Sequence, residues 1–178
     1  RFDNNFPPKL LLENGCEILF NTAGNITVTP VHNGLGTGQS VLYEDFPGHK
    51  GLAFETRTLI QASTGFVDCS FVPLNMADLP VQEILWHQPL AADGPDDYAV
   101  LNTMQGQLLP SHWPRAVGEN LPFHGQMCSE SAYMPWWGEI TPNGGYLCFV
   151  RQSWDSAYTI HHPPGGPTRL YIRHLPSL

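Results

Sequence analysis

The sequence predicts an all-β protein, a two-sheet antiparallel β-sandwich of the supersandwich kind with few or no helices, and three observations carry that prediction. Gly and Pro number 17 each among 178 residues and fall between short apolar runs at frequent intervals, the punctuation of many strands. Several of those runs alternate apolar with polar residues, the two-residue period of a strand with one covered face. No long segment keeps a three-four apolar spacing free of glycine or proline, so no helix is expected. Two packed sheets are the architecture that buries such strands.

Taken in order, residues 10–13, 16–20 and 25–29 read as a first set of strands, with turns at 13–15 and 23–25 where glycine accepts positive φ. The stretch Gly34-Leu-Gly-Thr-Gly38 reads as a flexible loop; it lacks the lysine and the following helix of a phosphate-binding loop. Residues 51–60 and 65–72 form a hairpin across 62–65. Strands at 81–86 and 98–102 flank an exposed acidic loop at 91–97. Pro110, Pro114 and Pro122 interrupt pairing between 105 and 123, which reads as the longest loop. Strands return at 137–141, 145–151, 157–161 and 168–173.

The length fits one domain spanning residues 1–178, large enough to bury a core without disulfides or metal. Sixteen carboxylates against eight Lys and Arg give a net charge of −8, and the basic residues never cluster. Nucleic acid is therefore not expected as a partner. No apolar run is long enough for a transmembrane helix, and no membrane partner is expected. Cys16, Cys69, Cys128 and Cys148 each sit among apolar or small residues and read as free thiols of the core, with disulfides as the open alternative.

Most catalytic chemistries lack their residues. His161 and His162 are adjacent, so a regular strand points them to opposite faces, and no cupin-like His-x-His with a following Glu is present. A metal-dependent cupin-like barrel enzyme built on His124, His161, His162 or His174 stays an alternative, but no metal or cofactor site is assigned. Gly-x-Ser-x-Gly does not occur. Glu130, Glu139 and Asp155 lie in the aromatic-rich last third, where a glycosidase would need two carboxylates at fixed separation. They read as solvated or turn-forming acids, and no catalytic residue is assigned. The aromatics are more informative. A pyranose presents a face of C–H groups that stacks on Trp or Tyr, so Trp113, Trp136, Trp137, Trp154 and Tyr158 are the carbohydrate-binding candidates. On a strand Trp136 and Trp137 split between two faces, one toward the core and one outward.

The order of motifs in the C-terminal half carries a resemblance. Met134-Pro-Trp-Trp-Gly138, Asn143-Gly-Gly-Tyr-Leu-Cys-Phe-Val150, Trp154-Asp-Ser-Ala-Tyr158 and His162-Pro-Pro-Gly-Gly-Pro167 follow one another, and Leu12-Glu-Asn14 opens an early strand. This succession resembles the β-sandwich module that precedes the catalytic barrel of glycoside hydrolases, closest to the endo-α-N-acetylgalactosaminidase and α-N-acetylgalactosaminidase-like group. The resemblance implies a noncatalytic domain whose partners are carbohydrate and a following catalytic domain of the same chain. It places the catalytic carboxylates on barrel strands after Leu178. The chain, which begins at Arg1, then reads as a fragment cut from a longer one. A free-standing carbohydrate-binding module is the alternative that the tryptophans alone would favour.

Overall fold

Alternating apolar and polar side chains become paired strands, and the described strands form three antiparallel sheets. The computed structural model describes residues 7–76, 79–86, 90–101, 107–113, 123–126, 136–149, 156–162 and 167–176. The chain divides into two compact units, one made of Arg1–Leu11 with Val81–Leu178 and the other of Leu12–Pro80.

The Leu12–Pro80 unit holds β2 (Glu17–Leu19), a 3₁₀ turn at Phe20–Thr22, and a four-stranded sheet in the order β3 (Asn25–Asn33), β4 (Gly36–Phe46), β5 (His49–Gln61), β6 (Val67–Asn75). The β3–β4 turn is shaped by Asn33, whose Oδ1 accepts the N–H groups of Leu35 at 2.9 Å and Gly36 at 3.2 Å. Asp45, at φ 59°, marks the bulge that shifts the β4–β5 register before Phe46. Leu52, Phe54 and Thr56 of β5 are buried while the intervening Glu55 and Arg57 point to the other face. Phe54 is fully buried, and its ring centroid lies 4.6 Å from Phe20, 5.0 Å from Phe71, 5.2 Å from Tyr43 and 5.4 Å from Phe46. Five aromatic rings thus make one core.

Gly36 and Gly38 overturn the loop reading of 34–38, because both lie inside β4. A Cβ on Gly38 would stand 1.9 Å from the Thr58 carbonyl oxygen, and one on Gly36 2.1 Å from that of Ile60. The glycines serve a close approach of β5 rather than flexibility. With β4 recovered, β3–β6 become a sheet of their own, one more than the sequence pattern predicts. The all-β class holds.

The other unit holds two sheets. One runs β11 (Phe123–Gln126), β14 (Ser156–His161), β15 (Thr168–His174), β7 (Val81–Leu85), β1 (Lys9–Leu12), with β8 (Leu90–Ala92) also paired to β15. The second runs β10 (Gln107–Pro110), β9 (Tyr98–Leu101), β12 (Trp136–Thr141), β13 (Gly144–Phe149). β10 thus occupies part of the expected 105–123 loop. Leu10, Val81, Ile84, Ala157 and Ile172 are buried from the first sheet, and Ala99, Leu109 and Trp137 from the second. Arg173 Nη1 donates to Glu83 Oε1 at 2.8 Å, which keeps the charges of β15 and β7 paired. The acidic 93–97 loop is closed by Asp97, whose Oδ2 accepts the Gly94 N–H at 2.8 Å and whose N–H reaches Gly94 O at 3.2 Å.

The cysteines need correction. Cys16, Cys69 and Cys148 form no disulfide, but Cys16 and Cys69 are exposed and Cys148 is half-buried; Cys128 lies outside the described residues. Cys69 stands on β6, an edge strand of its sheet, where apolar sequence neighbours do not guarantee cover.

The ring cluster gives a direct test. Phe54→Ala removes the ring that four others touch, and it is expected to lower the unfolding free energy by about 3–5 kcal/mol. Chemical denaturation monitored by circular dichroism measures this, and a loss below about 1 kcal/mol would show that the cluster is not the core of that unit.

Candidate functional site

The tryptophan pair opens β12, and its register decides where each ring goes. Trp136 pairs with Phe149 on β13, and Trp137 pairs with Cys148 on β13 and Leu101 on β9. Directly opposed residues in an antiparallel pair share a face. One face of this sheet therefore carries Trp137 and Glu139 of β12 with Ala99 of β9 and Leu109 of β10, and all four are buried. The other carries Trp136 and Ile140 with Phe149, Leu147, Tyr98, Val100 and Leu108.

That second face is apolar and uncovered. Leu108, Leu147, Phe149 and Ile140 are 58, 56, 67 and 46% exposed, and Trp136 is half-buried among them. Gly138 sits in the middle of the row Leu108, Val100, Gly138, Leu147, and a Cβ there would come within 2.8 Å of Leu147 Cδ2. The Leu147 side chain thus lies over the glycine and joins the row into one surface. Among the described residues of these strands, no carboxylate, amide or guanidinium flanks its aromatic rings on this face to fix a sugar's hydroxyls. Its chemistry is that of a packing surface.

The buried face has polar content of its own. Glu139 is 4% exposed and accepts the hydroxyl of its cross-strand partner Tyr146. Burial, and then that bond to the carboxylate, push the Tyr146 phenol well above its usual range. The pair is a strand-to-strand tie. Trp137 Nε1 is buried without a hydrogen-bond partner among the described residues.

Trp113 is held differently. His162 is fully buried, with Nδ1 2.8 Å from Thr168 Oγ1 and Nε2 2.9 Å from the Trp113 carbonyl oxygen. Ser111, also fully buried, donates its N–H to Asp97 O at 2.9 Å and its hydroxyl to Gly94 O, while His112 Nε2 lies 2.9 Å from Asp93 O. The segment 111–113 is thereby tied to the 93–97 loop and to the end of β14. Trp113 is left 37% exposed on a fixed backbone. His162 is occupied by these bonds, and no group of three or more metal-binding side chains occurs among the described residues. His174 Nδ1 lies 3.2 Å from Ser156 Oγ, and burial lowers the His174 pKa. Trp154, Glu130 and Asp155 lie outside the described residues; Tyr158 belongs to β14, with its side chain outside them.

The sequence reading missed a polar row in the Leu12–Pro80 unit. Thr29, Ser40, Arg57 and Ser70 stand in register across β3, β4, β5 and β6, on the face opposite the aromatic core. Beside them Glu55 takes Arg57 Nε at 2.6 Å on Oε1, Nη2 at 2.8 Å on Oε2, and the Ser40 hydroxyl on Oε1. The guanidinium and then the hydroxyl hold the Glu55 carboxyl down at about 2. The alternation Ser40-Val-Leu42 and Glu55-Thr-Arg57 was the available signal, but it needs β4 to be recognised as a strand.

The architecture matches one region of a longer glycoside hydrolase. Solved structures similar to this chain include those of the α-N-acetylgalactosaminidase NagBb from Bifidobacterium bifidum. Its complex with GalNAc matches 99% of this chain and 28% of the enzyme at 30% identity and a TM-score of 0.88. A quadruple mutant gives 0.87 at 30% identity over 99% of this chain and 29% of that one, and the ligand-free enzyme 0.84 at 29% identity over 99% and 28%. The resemblance to the α-N-acetylgalactosaminidase group is borne out, and the chain spans less than a third of that enzyme's length. No family model matches the chain, and no curated protein does.

Two measurements check this geometry. Trp137→Ala should cost about 3–5 kcal/mol of stability and Trp136→Ala well under half of that, read from denaturation of each variant; equal losses would contradict the assignment of the two faces. For Glu55, the folded value of about 2 lies below the ordinary carboxylate value of 4.5. Its contribution to stability is therefore present above pH 4.5 and is lost as pH falls toward 2. Glu55→Gln should flatten the acid limb of the stability profile in that window, and an unchanged limb would show that the ion pair is not retained in solution.

Proposed function

We propose that this chain is a noncatalytic β-sandwich module of a glycoside hydrolase, which packs through the apolar face around Trp136, Leu147 and Phe149 against the catalytic domain of the same enzyme. The observation that carries the reading is that face: contiguous, apolar and uncovered on a sheet whose opposite side is core. Exposed apolar surface of this kind marks a contact with another protein surface. The match to less than a third of an α-N-acetylgalactosaminidase supports a partner within one longer chain. Glu139, the described member of the acids named from the sequence, is buried and bound to Tyr146.

A second reading concerns carbohydrate. Trp113 is 37% exposed on a backbone fixed by His162 and, among the described residues, is the sequence-named tryptophan whose ring is both accessible and outside the apolar face. It would lend a stacking platform at the edge of a glycan cleft, for a sugar such as N-acetylgalactosamine.

Both readings are open to test. The isolated chain should bind the dye ANS and should not cleave p-nitrophenyl α-N-acetylgalactosaminide. Replacing Leu108, Leu147 and Phe149 together by Thr should abolish the dye signal while stability stays within about 1–2 kcal/mol. Turnover that survives repurification, or no dye binding, would sink the module assignment. Tryptophan fluorescence that changes on adding N-acetylgalactosamine, and no longer does so in Trp113→Phe, is the expected outcome for the platform; a flat titration would remove it.

A further inference from the structure

The polar row of the Leu12–Pro80 unit lies in a groove that the module's packing role does not use. Its volume is about 600 Å³, within the range of small-molecule sites. Its depth has a cause in the sequence. In the row Val31, Gly38, Leu59, Asp68 the second strand contributes a glycine, so the sheet has no side chain between Val31 and Leu59. No other residue fits there, because β5 approaches too closely for a Cβ.

The lining has a distinct chemistry. Hydroxyls of Thr29, Ser40 and Ser70 flank Arg57, and Leu42 and Leu59 provide apolar contact on either side of that row. Arg57 and Glu55 neutralise each other, while Asp68 leaves the groove with a net negative charge. A phosphate or sulfate is thus disfavoured. The ion pair is also a preorganised hydrogen-bonding plate. Two of the five guanidinium N–H donors are spent on Glu55, leaving three for a ligand, and Glu55 Oε2 accepts a single bond and keeps capacity for another. Side chains already locked together lose little freedom when a ligand arrives.

A ligand that matches must be neutral, must offer vicinal donors and acceptors to a planar fork, and must carry C–H surface for Leu42 and Leu59. We infer that this groove binds a neutral oligosaccharide, laid across the row Thr29, Ser40, Arg57 and Ser70. A diol bridges the outward N–H groups of Arg57 and the free position on Glu55, and the ring face rests on the leucines. The site uses none of the tryptophans and does not depend on the apolar face, so it stands or falls separately from the proposed function.

The experiment is a titration of the ¹⁵N-labelled 178-residue chain with maltotriose, cellotriose and lactose, each followed by amide chemical shifts. At least one saccharide should shift amides of β3–β6 around the row and leave those of β12 and β13 unmoved. Arg57→Met keeps the stem and removes the fork, and Ser70→Leu fills an exposed position in the groove without deleting a core contact. Each should weaken binding roughly tenfold or more, the loss of one charge-assisted hydrogen bond or of the open volume. Ser70→Leu keeps the test decisive if Arg57→Met is unstable. Absence of shifts with all three saccharides, shifts confined to β12 and β13, displacement by inorganic phosphate, or full affinity in Ser70→Leu would each overturn the inference.

Discussion

The two-residue period of paired antiparallel strands is the constraint on which everything else in this protein rests. Once β12 is registered against β9 and β13, Trp137 and Glu139 must go to one face and Trp136 and Ile140 to the other. The same rule sends Phe54 into its aromatic cluster and turns Glu55 and Arg57 away from it. In each sheet the buried and the outward surface are thus alternate residues of the same strands, the apolar face on β12 and its neighbours and the polar groove on β3–β6. A one-residue slip would exchange them, and so register is the property that function inherits.

Polar groups in the interior are matched to partners with little left over. His162 uses both ring nitrogens, on Thr168 and on the Trp113 carbonyl, and so converts a buried imidazole into a clamp on a loop. Ser111 does the same for the 93–97 turn. These bonds explain why His162, which invites a metal reading, serves structure instead: a ring whose two nitrogens already have partners has none for an ion. Trp137 Nε1 and Arg173 Nε are the buried side-chain atoms among the described residues without such a partner.

The two outward surfaces differ in what they can recognise. The β10–β9–β12–β13 face offers area without direction, which suits a protein surface that excludes water from it. The groove on β3–β6 offers direction without much area, through the Arg57–Glu55 plate and three hydroxyls. The sequence points to the tryptophans for sugar recognition, yet Trp136 lies in the first surface and Trp137 in the core. Aromatic residues alone do not make a sugar site, because the hydroxyls of the ring need fixed partners.

The amino-acid sequence by itself determined the all-β class, the hairpin of β5 and β6, the terminal strand set and the resemblance to the α-N-acetylgalactosaminidase group, because these depend on local alternation and on the order of motifs. It also determined that Trp136 and Trp137 would part company, though not which would be buried. Only the tertiary structure decided that. Trp137 shares its face with Ala99 of β9 and Leu109 of β10, buried residues at sequence separations that no local pattern reports. β4 was hidden for a related reason: Gly36 and Gly38 look like loop residues until the close carbonyls of Ile60 and Thr58 are known. With that strand went the polar row, whose four members come from four strands and meet only through pairing. The burial of cysteines likewise failed to follow from their neighbours, since Cys69 lies on an edge strand. Local period is written in the chain; cover is a property of what folds back upon it.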